Sequence, residues 1–147
     1  MSASVSPWAR RLARGAALLF ALGAVTGVLI AAASTGDLDA DVGMVLAAHL
    51  NAILGCFWLL GVAFTLPMVT LGETGRRWLC ASALVAAFAN WGVTLVKALL
   101  KVHGIAFVGE PSNDVIYVLL AVTVVVPTFV SGALWVRGLW REPGSPA

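Results

Sequence analysis

The side chains of this 147-residue sequence that could do chemistry sit among apolar neighbours: His49, Asn51, Cys56, Asn90, Trp91, Thr94 and Lys97. A neutral imidazole presents a lone pair, so His49 could ligate a metal or a haem iron, or it could bond a neighbouring carbonyl and serve only as helix glue. Cys56, seven residues on, shares its helical face, but the pair lacks the four ligands of a zinc site. Asn51 lies about 200° around a helix from His49, so the two face different neighbours. Asn90, Thr94, Lys97 and Lys101 recur at helical spacing and form one polar stripe, which faces the bundle interior or a partner subunit. Within that stripe Asn90 needs a hydrogen-bond partner, as helix glue or as part of a site. Lys97 could act in catalysis or reach water with its long stem. Trp91, beside Asn90, offers a flat face to a porphyrin or an arene, or to a packed helix. His103 falls in a polar loop and is read as solvated. There is no Ser/His/Asp triad, carboxylate pair, phosphate loop or dinucleotide fingerprint.

The elements that must position these groups follow from hydropathy. The chain is 61% hydrophobic and 11% charged, with a mean hydropathy of +0.97. That is too little charge to clothe a soluble domain. The net charge of +2, unclustered, excludes nucleic acid as a partner. Four apolar runs, each about 18 to 25 residues long, could cross a bilayer: 15–33, 44–69, 78–100 and 115–139. Lipid leaves open backbone groups unsatisfied, so all four are predicted helical. The expectation is an all-α, integral membrane four-helix bundle, residues 1–147 forming a single transmembrane domain. The N-terminal arginines and first run superficially resemble a signal peptide. The run is long and no small-residue cleavage site follows, so it is kept as the first span. Cys56 and Cys80 both lie in apolar runs and are read as small buried hydrophobes.

Charge placement sets the orientation. Seven of the nine Lys and Arg residues (Arg10, Arg11, Arg14, Arg76, Arg77, Arg137, Arg141) fall before the first span, between the second and third, and at the end of the fourth. The alternate loops carry Asp37, Asp39, Asp41, Glu110 and Asp114, with Lys101 as their basic residue. Positive loops stay in the cytoplasm, so both ends are predicted inside, with Trp8, Trp78 and Trp140 marking that boundary. Spans two and three run in opposite directions, which brings His49 and Lys97 to a similar depth in the outer half. Gly23 and Gly27 form a GxxxG through which another helix could approach closely, either within the chain or from a partner in a non-catalytic membrane module. Pro67 and Pro127 are read as kinks or helix ends near the ends of spans two and four. The absence of an intramembrane carboxylate weighs against a proton-coupled transporter.

The order of RGAALLFALGAVTG, AAHLNAILGCF, FANWGVTLVKAL and GALWVRGL through the four spans resembles the hydroxylaminobenzene mutase family, which is similar to the membrane-bound styrene oxide isomerases. The resemblance covers about residues 10–139, and Ala48-His49-Leu50 and Phe88-Ala89-Asn90-Trp91 are its most specific pieces. It implies a membrane isomerase of the bacterial inner membrane that needs no redox cosubstrate. It also implies haem b between the subunits of a homotrimer, with His49 as axial ligand and the ferric iron as a Lewis acid. The substrate would be a small aromatic, either an aryl hydroxylamine converted to an aminophenol or an aryl epoxide converted to an aldehyde. Asn90 and Trp91 would shape the pocket or the haem edge. The related proteins place Asn-Gly six and seven residues after the histidine, where this chain has Gly55 and Cys56. Asn51 is not expected to stand in for that asparagine, because it lies on another face of the helix. The Asp and Tyr of the epoxide isomerases appear here as Ala89 and Lys97, which points to the mutase branch.

Overall fold

A computed structural model describes residues 6–141. Helix α1 spans Pro7–Thr35, α2 Val42–Thr65, α3 Glu73–Leu100, α4 Pro111–Leu119 and α5 Val126–Trp140. A 3₁₀ turn at Leu66–Met68 closes α2, and a π-helical turn at Leu120–Val125 joins α4 to α5 without a break. The result is four helices long and apolar enough to cross a membrane: Pro7–Thr35, Val42–Met68, Glu73–Leu100 and Pro111–Trp140. Each begins before the apolar run that announced it. Pro7 starts α1, and α3 begins at Glu73, ahead of the arginine pair.

Hydrogen bonds fix which ends lie together. The Trp8 indole donates to Glu73 Oε1 at 3.3 Å, and the Arg11 guanidinium lies 4.6 Å from the Trp8 ring centroid. Thr70, in the α2–α3 turn, donates its N–H to Gly138 O and its hydroxyl to Arg141 O, each at 2.8 Å. All three arginine-bearing segments therefore gather at one end of the bundle. At the other end the Asp41 N–H bonds Ala98 O at 2.9 Å, Asp41 caps α2 through the Met44 N–H, and Lys101 pairs with Asp39.

In space α1 packs on α2, α2 on α3, and span four on α3. Leu12, Leu19, Leu59, Leu66 and Leu79 are fully enclosed where the first three helices meet. The GxxxG is used inside the chain. A Cβ on Gly23 would stand 3.1 Å from Ala52 Cβ, and one on Gly27 3.4 Å from the His49 ring. The face that could have served a foreign helix is thus covered by α2.

Pro127 departs from its expected place near a helix end and sits in the middle of span four. A proline ring would collide with the carbonyl four residues back in a regular α-helix. The widened turn ahead of it relieves that contact, with the Val126 N–H reaching Ala121 O, five residues back. Pro67 does sit at a helix end, in the 3₁₀ turn after α2.

Because Gly23 has no room for a side chain, Gly23→Leu should push α1 from α2 and destabilise the protein by about 1–3 kcal/mol. Gly27→Ala, whose Cβ makes ordinary contact, should change stability little. Thermal unfolding of both purified variants in detergent checks the contrast.

Candidate functional site

Within lipid a hydroxyl gives its proton to the carbonyl one turn back in its own helix, as Thr26 does to Leu22 O (2.7 Å) and Thr65 to Gly61 O (2.8 Å). Each oxygen can still accept, and each takes an indole N–H from another helix. Trp91 of α3 donates to Thr26 of α1 at 3.0 Å, and Trp135 of α5 donates to Thr65 of α2 at 2.8 Å. Trp91 is therefore a strut between helices, half-buried against the core. Thr26 is a partner that sequence reasoning missed. Its placement inside the Gly23–Gly27 segment was the available signal.

The same stretch of α1 receives His49. Its Nδ1 lies 2.8 Å from Gly23 O, and the ring rests against the stretch of α1 that carries Gly27. A carbonyl only accepts, so Nδ1 carries the proton and a neutral ring has its lone pair on Nε2. Nε2 has no hydrogen-bond partner among the described residues and is not sealed off from the surface. A histidine oriented by a backbone carbonyl through one nitrogen, with the other free, is the usual arrangement of a metal-ligating imidazole. The residues present thus fit an axial ligand. Cys56, on the same face, is enclosed in the apolar core.

Asn51 faces the other way, as its angular offset requires. Its Nδ2 donates to Asn90 Oδ1 (3.3 Å) and to Thr94 Oγ1 (3.1 Å), joining α2 to the polar stripe of α3. These contacts and the Asp41–Ala98 pairing tie α2 to α3 along the polar stripe. Lys97 lies beside Ala98, toward the end of the bundle that carries the Lys101–Asp39 pair. Lys97 is 8% exposed, Lys101 is exposed and paired with Asp39, and His103 is exposed in the loop between α3 and α4.

A cavity of about 290 Å³ opens beside the Asn51–Asn90 bond. Asn51, Leu54, Gly55 and Trp58 of α2 line it, with Ala86, Ala87 and Asn90 of α3 and Thr128 of α5. It lies where span four packs on α3 and meets α2 less closely, with the Trp135–Thr65 bond among its contacts there. Gly55, where the resemblance placed an asparagine, is wedged in. A Cβ there would stand 2.8 Å from Leu19 Cδ2 and 3.4 Å from Ala87 Cβ. Asn51 is one helical turn before Gly55 and lines the same cavity. The expectation that it lies on a face unrelated to position 55 is therefore corrected. Residues four apart differ by only about 40° around a helix, and the larger offset separates Asn51 from His49 instead.

The styrene oxide isomerase family model matches residues 8–140. The chain belongs to this family. Among curated proteins, it is similar to hydroxylaminobenzene mutase HabB of Ectopseudomonas oleovorans, with 30% identity over 99 residues, 67% of this chain. The chain spans only a little over half of that relative, 57% of its length. No solved structure matches it. Four membrane-crossing helices and the family together make the chain a multi-pass membrane protein. In this family member the matched region contains His49, the Asn51–Asn90 pair and the cavity.

Thr26→Val would leave the Trp91 N–H without its acceptor and should destabilise the protein by about 1–3 kcal/mol. In a Trp91→Phe background the same change should cost much less. A double-mutant cycle on unfolding in detergent measures the coupling.

Proposed function

We propose that this chain is a membrane-embedded isomerase that moves a hydroxyl group within an aryl hydroxylamine to give an aminophenol. Family membership and the similarity to a hydroxylaminobenzene mutase carry the reaction class. The N–O bond breaks and a C–O bond forms on the ring. The ring carbon gives up its proton and the nitrogen gains one, so atoms and electrons balance without a cosubstrate. Isomerisation of an aryl epoxide to an aldehyde is the second reading, favoured by the family's name.

We assign haem b to His49, held through Nε2 with the Gly23 carbonyl fixing the ring. When bound there, the haem would supply a ferric Lewis acid for the substrate oxygen. The one observation that supports this assignment most directly is the Nδ1–Gly23 bond, which leaves the other nitrogen free for a metal. His49 is half-buried at the outer surface of the α1–α2 pair. A planar group ligated there would rest against the outside of one protomer, in keeping with a homo-oligomer, here a trimer, closing over it. Trp91 stiffens the helices behind the site, and Asn90 is the group on α3 proposed to meet the substrate. Lys97, two turns outward along the stripe, would give its outer end positive charge. The gathering of arginines at one end supports both termini lying in the cytoplasm, with the chain in a bacterial inner membrane.

Purified protein should show a Soret absorption band and convert N-phenylhydroxylamine to an aminophenol. His49→Ala should lose the band and most of the rate, because a Lewis acid contributes several kcal/mol of charge stabilisation in the transition state. Full haem occupancy in His49→Ala, measured by absorption, would sink the ligand assignment.

A further inference from the structure

The bond between Asn51 and Asn90 has a fixed inventory of groups. Asn51 Nδ2 uses both protons, one on Asn90 Oδ1 and one on Thr94 Oγ1. Asn51 Oδ1 and Asn90 Nδ2 have no partner among the described residues, and neither is sealed in the core. Exchanging oxygen and nitrogen in both amides leaves the same remainder, one carbonyl and one amino group. Both residues line the cavity between α2, α3 and α5, so an acceptor and a donor stand side by side at its wall.

Most of the rest of that wall is apolar, with the Thr128 hydroxyl and the Trp58 indole N–H as its other polar groups. Leu54, Ala86 and Ala87 present methyl and methylene groups, and Trp58 adds an indole surface suited to an aromatic ring. An apolar cavity of roughly 150 Å³ already admits benzene. The volume here, about 290 Å³, therefore holds one substituted ring. Gly55 meets the cavity with backbone, its missing side-chain position being occupied by Leu19 and Ala87. The mouth lies between Leu54, 64% exposed, and Thr128, also exposed. Both face the surface that a bilayer would cover, so an apolar molecule dissolved in lipid can enter sideways without crossing water.

We propose that this cleft binds the aryl ring of the substrate and that Asn51 and Asn90 together hold its polar substituent. The amide carbonyl accepts from the substrate's N–H or O–H, and the amino group donates to its oxygen. The ligand class is a monocyclic arene with nitrogen and oxygen substituents close enough to meet both groups. Asn51 is then a specificity-determining residue, separating such an arene from a bare hydrocarbon of the same size. This inference rests on the aryl isomerase reading for its substrate class, but it concerns binding and can fail separately.

The test titrates the full chain, purified in detergent, with 2-aminophenol and with toluene by calorimetry. Wild type should prefer 2-aminophenol by about tenfold or more, the scale of one to two net hydrogen bonds. Asn51→Leu should lose that preference while keeping its affinity for toluene. Thr128→Phe, on the exposed side of α5, should fill the mouth and weaken both ligands by at least about tenfold, by excluding them from the cavity. If Asn51→Leu does not fold, as judged by gel filtration, the Thr128→Phe arm decides. Wild-type affinities in either folded variant would overturn the proposal. A wild-type chain that binds 2-aminophenol through Asn51 yet converts no N-phenylhydroxylamine would overturn the proposed activity and leave this inference standing. Turnover with unchanged KM in Asn51→Leu would do the reverse.

Discussion

The backbone carbonyls of a helix in lipid already accept from their own helix, and a further donor reaches one only where a second helix comes very close. Gly23 and Gly27 create such a place. With no side chains between them, α1 and α2 approach until Ala52 and the His49 ring lie against the α1 backbone. The imidazole then finds Gly23 O, and the Trp91 indole finds Thr26 a turn away. Two polar groups that would each be expensive alone in hydrocarbon are both satisfied at one segment of α1. The placement of α3 relative to α1, and the orientation of His49, depend on that approach.

Helix α2 then divides the protein's polar chemistry into two. Toward α1 it offers an imidazole fixed by a carbonyl. Toward α3 it offers an amide fixed by another amide and a threonine hydroxyl. The width of the helix stands between the two. In one protomer they do not share a cavity, since the residues lining the cleft include Asn51 and Asn90 but not His49.

Span four makes the cleft possible. Its burial is the lowest of the four spans, and it leans on α3 while meeting α2 less closely, with the Trp135–Thr65 bond near the arginine-bearing end. The π-helical turn and Pro127 stand directly before Thr128, which lines the cleft. Such widened turns recur at functional sites because they re-aim side chains without breaking the helix.

The sequence alone determined four spans, because a window of apolar residues long enough for a bilayer admits little besides helix. It also determined that the arginine-bearing ends lie together, and that His49 and Asn51 look in different directions, since helical periodicity fixes angles within one element. Periodicity does not fix which neighbour fills each direction. That α2, not a foreign helix, occupies the Gly23–Gly27 face was decided by packing. So was the pairing of Trp91 with Thr26. The register of α2 on α3 was decided there too, because it depends on the bond between Asp41 and Ala98 and on the partners that Asn51 finds. The cleft itself, with Trp58 and Thr128 in its wall, exists only where three helices fail to close, and no single helix's pattern records such a gap.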